Sequence, residues 1–400
     1  MKKFLLIPDS FKGTMNSMDF CRIAKEVILR HHPSAEVISI PVADGGEGSV
    51  DTFIAAVGGE KISVPAKGPY MEDMEGFYGI IDDGATAIIE MAACAGLPLV
   101  GDNLHPEKTT TFGVGQLMAD AAKRGCKKII IGLGGSATND FGAGAAAACG
   151  IRFMDGGGRE FIPVGETLSQ VSRIDKGGTM PELEGIEIST MCDIDNPLYG
   201  TSGAAFVFAP QKGADSEMVE FLDGQLRSMS EMVKREFGTD VSKIPGAGAA
   251  GGMGGGMVAF FDSKLQPGIE IVLDAVGFDG LLDGADLVIS GEGKFDSQSL
   301  HGKVVIGVAR RAKKRGVPVI AIVGDIGDDI EAAYDEGVSA IFSINRVAVP
   351  YKEARLRSRN DLSLTIDNLM RFTKRLEDIG ASPLRCTSKK SPRGVDWDAR

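Results

Sequence analysis

The stretch KKIIIGLGGSATNDFGAGAAAAC, residues 127–149, narrows the choice of fold more than any other part of the chain. Ile129, Ile130 and Ile131 read as a buried strand, glycines break it, and an Ala/Gly-rich segment with helical potential follows. A strand that opens through glycines onto a helix start is how α/β proteins present backbone N–H groups to an anion, usually phosphate. Between the two sit Ser136, Thr138, Asn139 and Asp140, groups suited to a phosphate with a bound metal. The loop carries no lysine, and G-x-x-x-x-G-K-[ST] occurs nowhere in the sequence, so this is not a P-loop.

Apolar runs ending in glycine-rich turns recur along the whole chain. Strands are expected at Phe4–Pro8, Glu36–Val42, Ile186–Cys192, Ala204–Phe208, Leu287–Ser290, Val317–Val323 and Ala340–Ile344. Helical spacing follows a Ser17 cap and recurs over Thr110–Lys123, with Gly125 as a stop. Strands alternating with helices give an α/β fold with largely parallel sheets. Between Lys61 and Met91 the runs shorten and alternate like antiparallel strands, and 400 residues exceed one ordinary core. We therefore expect a second domain inserted into the first. The polar tail, residues 381–400, has no apolar period and is expected to be disordered and dispensable.

A formal charge of −12 argues against nucleic acid or an anionic membrane surface as partner. The six cysteines form no C-x-x-C pair, which fits a reducing cytoplasm rather than a disulfide framework or a zinc site. The apolar run Phe4–Ile7 stops at Pro8, far short of a signal core, and no stretch is long enough to span a membrane.

Five polar blocks end apolar runs: Asp9–Gly13, Asp44–Gly48, Gly134–Asp140, Cys192–Pro197 and Gly291–Asp296. Each alone reads more readily as a capped turn, but five together are harder to dismiss, since in an open α/β sheet ligands bind at the carboxyl ends of the strands, where such loops can converge on one cleft. Lys12, Lys212 and Lys294, set in glycine-rich turns, can approach an anion closely. Asp193 and Asp195 have the carboxylate pattern of a Mg²⁺ site, and equally that of an Asx-turn before Pro197. Gly246–Gly251 spells G-x-G-x-x-G without a preceding strand and reads as a flexible anion-binding or hinge loop. Gly132–Ala137 is a G-x-G-x-x-A after a real strand, with Asp155 ending the next apolar run. That keeps an NAD-dependent oxidoreductase as a second hypothesis. Acids, cations and backbone N–H groups favour phosphoryl transfer over hydride transfer.

Taken in order, PDSFKG (8–13), ADGGEGS (43–49), IEMAACAGL (89–97), TTTFGVG (109–115), IGLGGSATNDFGAG (131–144), CDIDNPL (192–198), GAAFVFAPQKGA (203–214), PGAGAAGGMGGG (245–256) and ADLVISGEGKFDSQSLHGK (285–303) closely resemble the bacterial glycerate kinase family, type I. The resemblance runs to about residue 375. It implies an ATP- and Mg²⁺-dependent kinase of D-glycerate, with 2-phosphoglycerate as the associated product. It also implies a Rossmann-like domain with a parallel sheet (residues 1–68 and 276–376) and an inserted α/β domain (69–275). On this reading Lys12 or Lys294 holds the glycerate carboxylate beside Asp9 and Ser10, and Asp44 or Asp193 aligns the acceptor hydroxyl. The triphosphate rests on Gly134, Gly135, Ser136, Thr138 and Asn139, with Gly248, Gly251 and Gly252 adjoining, and Mg²⁺ lies on Asp193 and Asp195. A homo-oligomer is compatible with all of this.

Overall fold

The computed structural model describes residues 2–11, 13–42, 45–301 and 303–379. Lys12, Asp44 and the tail therefore lie outside the described residues. In chain order the strands are β1 (Lys3–Pro8), β2 (Glu36–Ser39), β3 (Glu60–Lys67), β4 (Asp73–Ile81), β5 (Thr86–Glu90), β6 (Lys128–Gly132) and β7 (Arg152–Met154). They continue as β8 (Glu160–Phe161), β9 (Arg173–Asp175), β10 (Glu187–Met191), β11 (Lys264–Gln266), β12 (Leu287–Phe295), β13 (Val319–Ile326) and β14 (Val338–Ser343).

These strands form an α/β structure with two main sheets. The first has five parallel strands in the order β14-β13-β12-β1-β2 and draws on both ends of the chain. Its order reverses between β1 and β12, where Phe4 pairs with Leu287 and Pro8 with Gly291. The second has six strands in the order β11-β10-β6-β5-β4-β3. It is parallel from β11 to β5, whereas β5, β4 and β3 run antiparallel as the alternating runs predicted. Strands β8, β7 and β9 make a small antiparallel sheet.

Central parallel strands are covered on both faces and so read as unbroken apolar runs. Phe4, Leu6, Leu287 and Ile289 pack on one side under the helices Ser17–His31 and Tyr351–Asp378. Leu5, Ile7 and Val288 face the other way. They join Val50, Phe53, Ile88, Ile130 and Met191 in a single apolar cluster that ties the two sheets together. The far face of the second sheet is covered by Phe112–Lys123, through Val114, Leu117, Met118 and Ala121.

Several expectations need correction. The segment Ala204–Phe208 is a helix, because a five-residue apolar run has no period that separates the two states. The cap of the first helix is Asn16, whose Oδ1 accepts the Asp19 N–H at 2.8 Å, and Ser17 is its first residue. A boundary at residue 68 would cut the β3–β4 hairpin: Glu60 pairs with Ile80 and Lys67 with Asp73, so β3 belongs to the second sheet.

Candidate active site

Two cavities open at the carboxyl ends of the two parallel sheets and meet at Asp193 and Ile194. The larger, about 550 Å³, sits at the switch point between β1 and β12, where an open α/β sheet ordinarily takes its ligand. The other, about 380 Å³, sits beyond β6 and β10.

The smaller cavity is built by the loop after β6. Gly134, Gly135 and Ser136 line it with Lys212, Gln211 and Ala249. Backbone hydrogen bonds fix the loop from both sides: Leu97 N–H donates to Gly135 O, Ala137 N–H to Ala95 O, and Gly134 N–H to Gly45 O. No room is left for a side chain at Gly134, where a Cβ would stand 2.6 Å from the Gly46 Cα. Asp140 is fully buried beneath the loop and accepts from Thr111 N–H at 2.7 Å and Oγ1 at 2.8 Å, and from the N–H groups of Gly142 and Gly144. Burial pushes its carboxyl above the usual range and those donors pull it back. The Thr138 Oγ1 and both polar atoms of the Asn139 amide are buried with no partner among the described residues. Unpaired buried groups of this kind are rare and call for a ligand or ordered water.

Lys212 is the residue that the sequence under-weights. Only 3% exposed, it donates to Ser136 Oγ at 2.7 Å and to the Thr138 carbonyl at 2.6 Å. Burial brings its ammonium down to about 7, with Asp140 opposing. The PQKG turn offers one signal for it, a lysine between a proline and a left-handed glycine, Gly213.

The larger cavity is lined by Asp9, Ser10, Asp193, Glu292, Lys294 and Arg355, among others. Asp9 accepts the Ser10 N–H at 2.6 Å through Oδ1, and its own N–H joins the Gly291 carbonyl across the switch point. Glu292 is buried on β12 with Oε1 unpartnered among the described residues. Burial raises its carboxyl to about 7, against the pull of Lys303 and Ser299. Lys294 is open to solvent and paired with Asp296 at 3.2 Å. At the junction, Asp193 is exposed and its Oδ1 accepts the Gly268 N–H at 2.8 Å, at the start of the helix Gly268–Ala275.

The structure thus brings Asp9, Ser10, Lys294 and Asp193 to one cavity, and Gly134, Gly135, Ser136 and Asp193 to the other. Asp195 lines neither, and no group of three or more His, Cys, Asp or Glu residues suited to a metal occurs among the described residues. Gly248, Gly251 and Gly252 also line neither cavity. They are buried at the cap (Gly248) and first turn (Gly251, Gly252) of the helix Ala249–Phe261, behind the loop, where a Cβ on Gly251 would stand 2.1 Å from the Thr138 carbonyl. The expected flexible loop is a packed wedge. Asp155 accepts the N–H groups of Gly157 and Arg159 at the end of β7, in the small antiparallel sheet, where it closes its own turn rather than facing a ribose.

Residues 4–374 match the model of the glycerate kinase family. The chain belongs to that family. It is 43% identical over 368 residues to glycerate kinase of Bacillus cereus, covering 92% of this chain and 97% of that one. It is also 43% identical to glycerate 2-kinase of Escherichia coli, over 86% of this chain and 90% of the other. The crystal structure of a putative glycerate kinase 2 from Salmonella typhimurium superposes with a TM-score of 0.83 at 39% identity, covering 94% of this chain and 99% of that one. The family assignment makes this a phosphotransferase enzyme, and the oxidoreductase alternative finds no support in it. No helix among the described residues is long and apolar enough to cross a membrane.

Proposed function

We propose that the protein transfers the γ-phosphate of ATP to a hydroxyl of D-glycerate, as a type I enzyme giving 2-phosphoglycerate and ADP in the cytoplasm. The observation that carries this reading is the meeting of the two cavities at Asp193, in a chain of this family. Phosphoryl transfer asks for in-line placement of donor and acceptor plus charge neutralisation, with little covalent work by the protein. The Gly134–Ser136 turn takes the phosphates: the Gly135 and Ser136 N–H groups have no acceptor among the described residues, and Ser136 adds a hydroxyl. The acceptor acid lies in the larger cavity, its carboxylate on Lys294 and its hydroxyl near Asp9 and Ser10; Lys12, the alternative for the carboxylate, lies outside the described residues.

Magnesium keeps several waters and needs only one or two carboxylates beside substrate phosphates, so the lack of a larger acidic cluster is compatible with it. Asp193 would hold the ion and Asp195 would stand behind it. The ion's chemistry there would be to offset charge on the phosphate oxygens. Asp44 remains the candidate for aligning the acceptor hydroxyl. The two sheets serve as two domains, one completed by the chain ends and one inserted. The apolar cluster joining them leaves exclusion of water to the loops at the mouth rather than to a wide hinge.

ADP release coupled to an indicator enzyme, with and without D-glycerate, tests the reaction, and NMR of the product identifies the phosphorylated carbon. We expect turnover that needs both D-glycerate and Mg²⁺ or Mn²⁺. Full activity in excess EDTA, or ADP release indifferent to glycerate, would overturn the reading.

A further inference from the structure

A lysine ammonium has three donors and no acceptor, so its partners must all accept. Lys212 spends one N–H on Ser136 Oγ and one on the Thr138 carbonyl. Since Ser136 Oγ accepts from the lysine, its own hydrogen is turned elsewhere, and the residue lines the smaller cavity. Lys212 lines the same cavity, and its third N–H meets no acceptor among the described residues. Asp140, the charged group that acts on Lys212, is already committed to Thr111, Gly142 and Gly144. The buried cation therefore lacks a directly bonded counter-charge on the protein side, and the cavity is the place where one can enter.

We propose that Lys212 is a positioning residue for the nucleotide phosphates, turning the Ser136 hydroxyl into a donor toward them and backing the loop with positive charge. The inference rests on the placement of the triphosphate at Gly134–Ser136. It goes beyond that placement by assigning the loop's polarity to a residue outside it. Burial holds Lys212 down to about 7 against the pull of Asp140, so a bound polyphosphate should draw a proton onto it.

The test compares Ser136→Ala, Lys212→Met and the double variant by steady-state kinetics in both substrates. MgADP binding to the intact enzyme is measured alongside, at pH 8 by calorimetry in buffers of different ionisation enthalpy. Ser136→Ala and Lys212→Met should each raise KM for MgATP about 10-fold or more, the scale of a hydrogen bond to a charged group, with KM for glycerate nearly unchanged. Added to Lys212→Met, Ser136→Ala should cost no more than about twofold, since the pair acts as one unit. The wild type should take up a fraction of a proton on binding MgADP and Lys212→Met none. If Lys212→Met does not fold, Lys212→Arg takes its place, since a guanidinium stays charged at pH 8 and should abolish the proton uptake. Additive effects of the two substitutions, or no proton uptake while Ser136→Ala still weakens MgATP, would overturn the inference alone. An unchanged KM for MgATP in Ser136→Ala would overturn the triphosphate placement and the inference with it.

Discussion

The loop after β6 and the rim at the ends of β1 and β12 face the same junction but are made in opposite ways. The loop is buried from Ser136 to Asp140, fixed on two sides by backbone hydrogen bonds and kept thin by glycine against glycine. Its cation, Lys212, is desolvated. The rim carries its charges in the open: Lys294 is exposed and already paired with Asp296, and among the described residues only Glu292 is sunk into the wall. A preorganised cradle suits a ligand part that is the same in every turnover, while a solvated rim suits one whose charge must be steered in and let go. On the proposed placement of the substrates, the contrast gives fixed electrostatics to the phosphate side and adjustable electrostatics to the acid side.

The junction itself should show the largest effect. Asp193→Asn keeps the acceptor for the Gly268 N–H and removes the charge, so kcat should fall at least about 10²-fold with KM much less affected. Near-normal turnover, measured beside an unchanged melting curve, would return Asp193 to a turn-forming role. Next, Gly134→Ala forces a methyl into the Gly46 backbone at 2.6 Å. Overpacking of this kind costs about 1–3 kcal/mol and should show in denaturant titration. Lys294→Ala on the open rim should move stability by no more than about 0.5 kcal/mol. Equal losses at the two positions would erase the distinction between cradle and rim.

A pH-dependent effect concerns Glu292. Its carboxyl is raised from 4.5 to about 7, so between those values the folded protein binds the proton more tightly than the unfolded chain. That contribution is full below the unfolded value and is lost as pH rises through about 7, the reverse of a salt-bridged acid. Glu292→Gln should flatten the fall in melting temperature between pH 5 and pH 8, on the order of a few degrees. An identical pH slope in wild type and variant would show that Glu292 is solvated.

Strand positions, the parallel core and the strand-loop-helix were legible because buried parallel strands leave continuous apolar runs bounded by glycine. Ala204–Phe208 was not, since five apolar residues fit either state. Gly251 illustrates a deeper limit. Its glycine answers to the Thr138 backbone more than a hundred positions away, and no local pattern separates that use from a mobile loop. Lys212 stood out only as a lysine in a turn. What makes it chemically unusual is desolvation by segments far from it in sequence, which composition and spacing do not encode. Asp195 shows the converse, a good spacing on a residue that lines neither of the two cavities.

The pairing of β1 with β12 has a consequence for biogenesis. Strands β3 to β11 lie in one uninterrupted stretch, so the second sheet has all its members once residue 266 has left the ribosome. The first sheet begins with Lys3, yet its neighbour strand starts only at Leu287, and the contact from Lys3 to Asp286 bridges 283 residues. Closing so long a loop is entropically costly if the intervening chain is a coil, and far cheaper if that chain has already condensed. An early-made strand of almost wholly buried residues must therefore wait, unpaired on one edge, for most of translation. It is the segment of this protein with the most to gain from a chaperone.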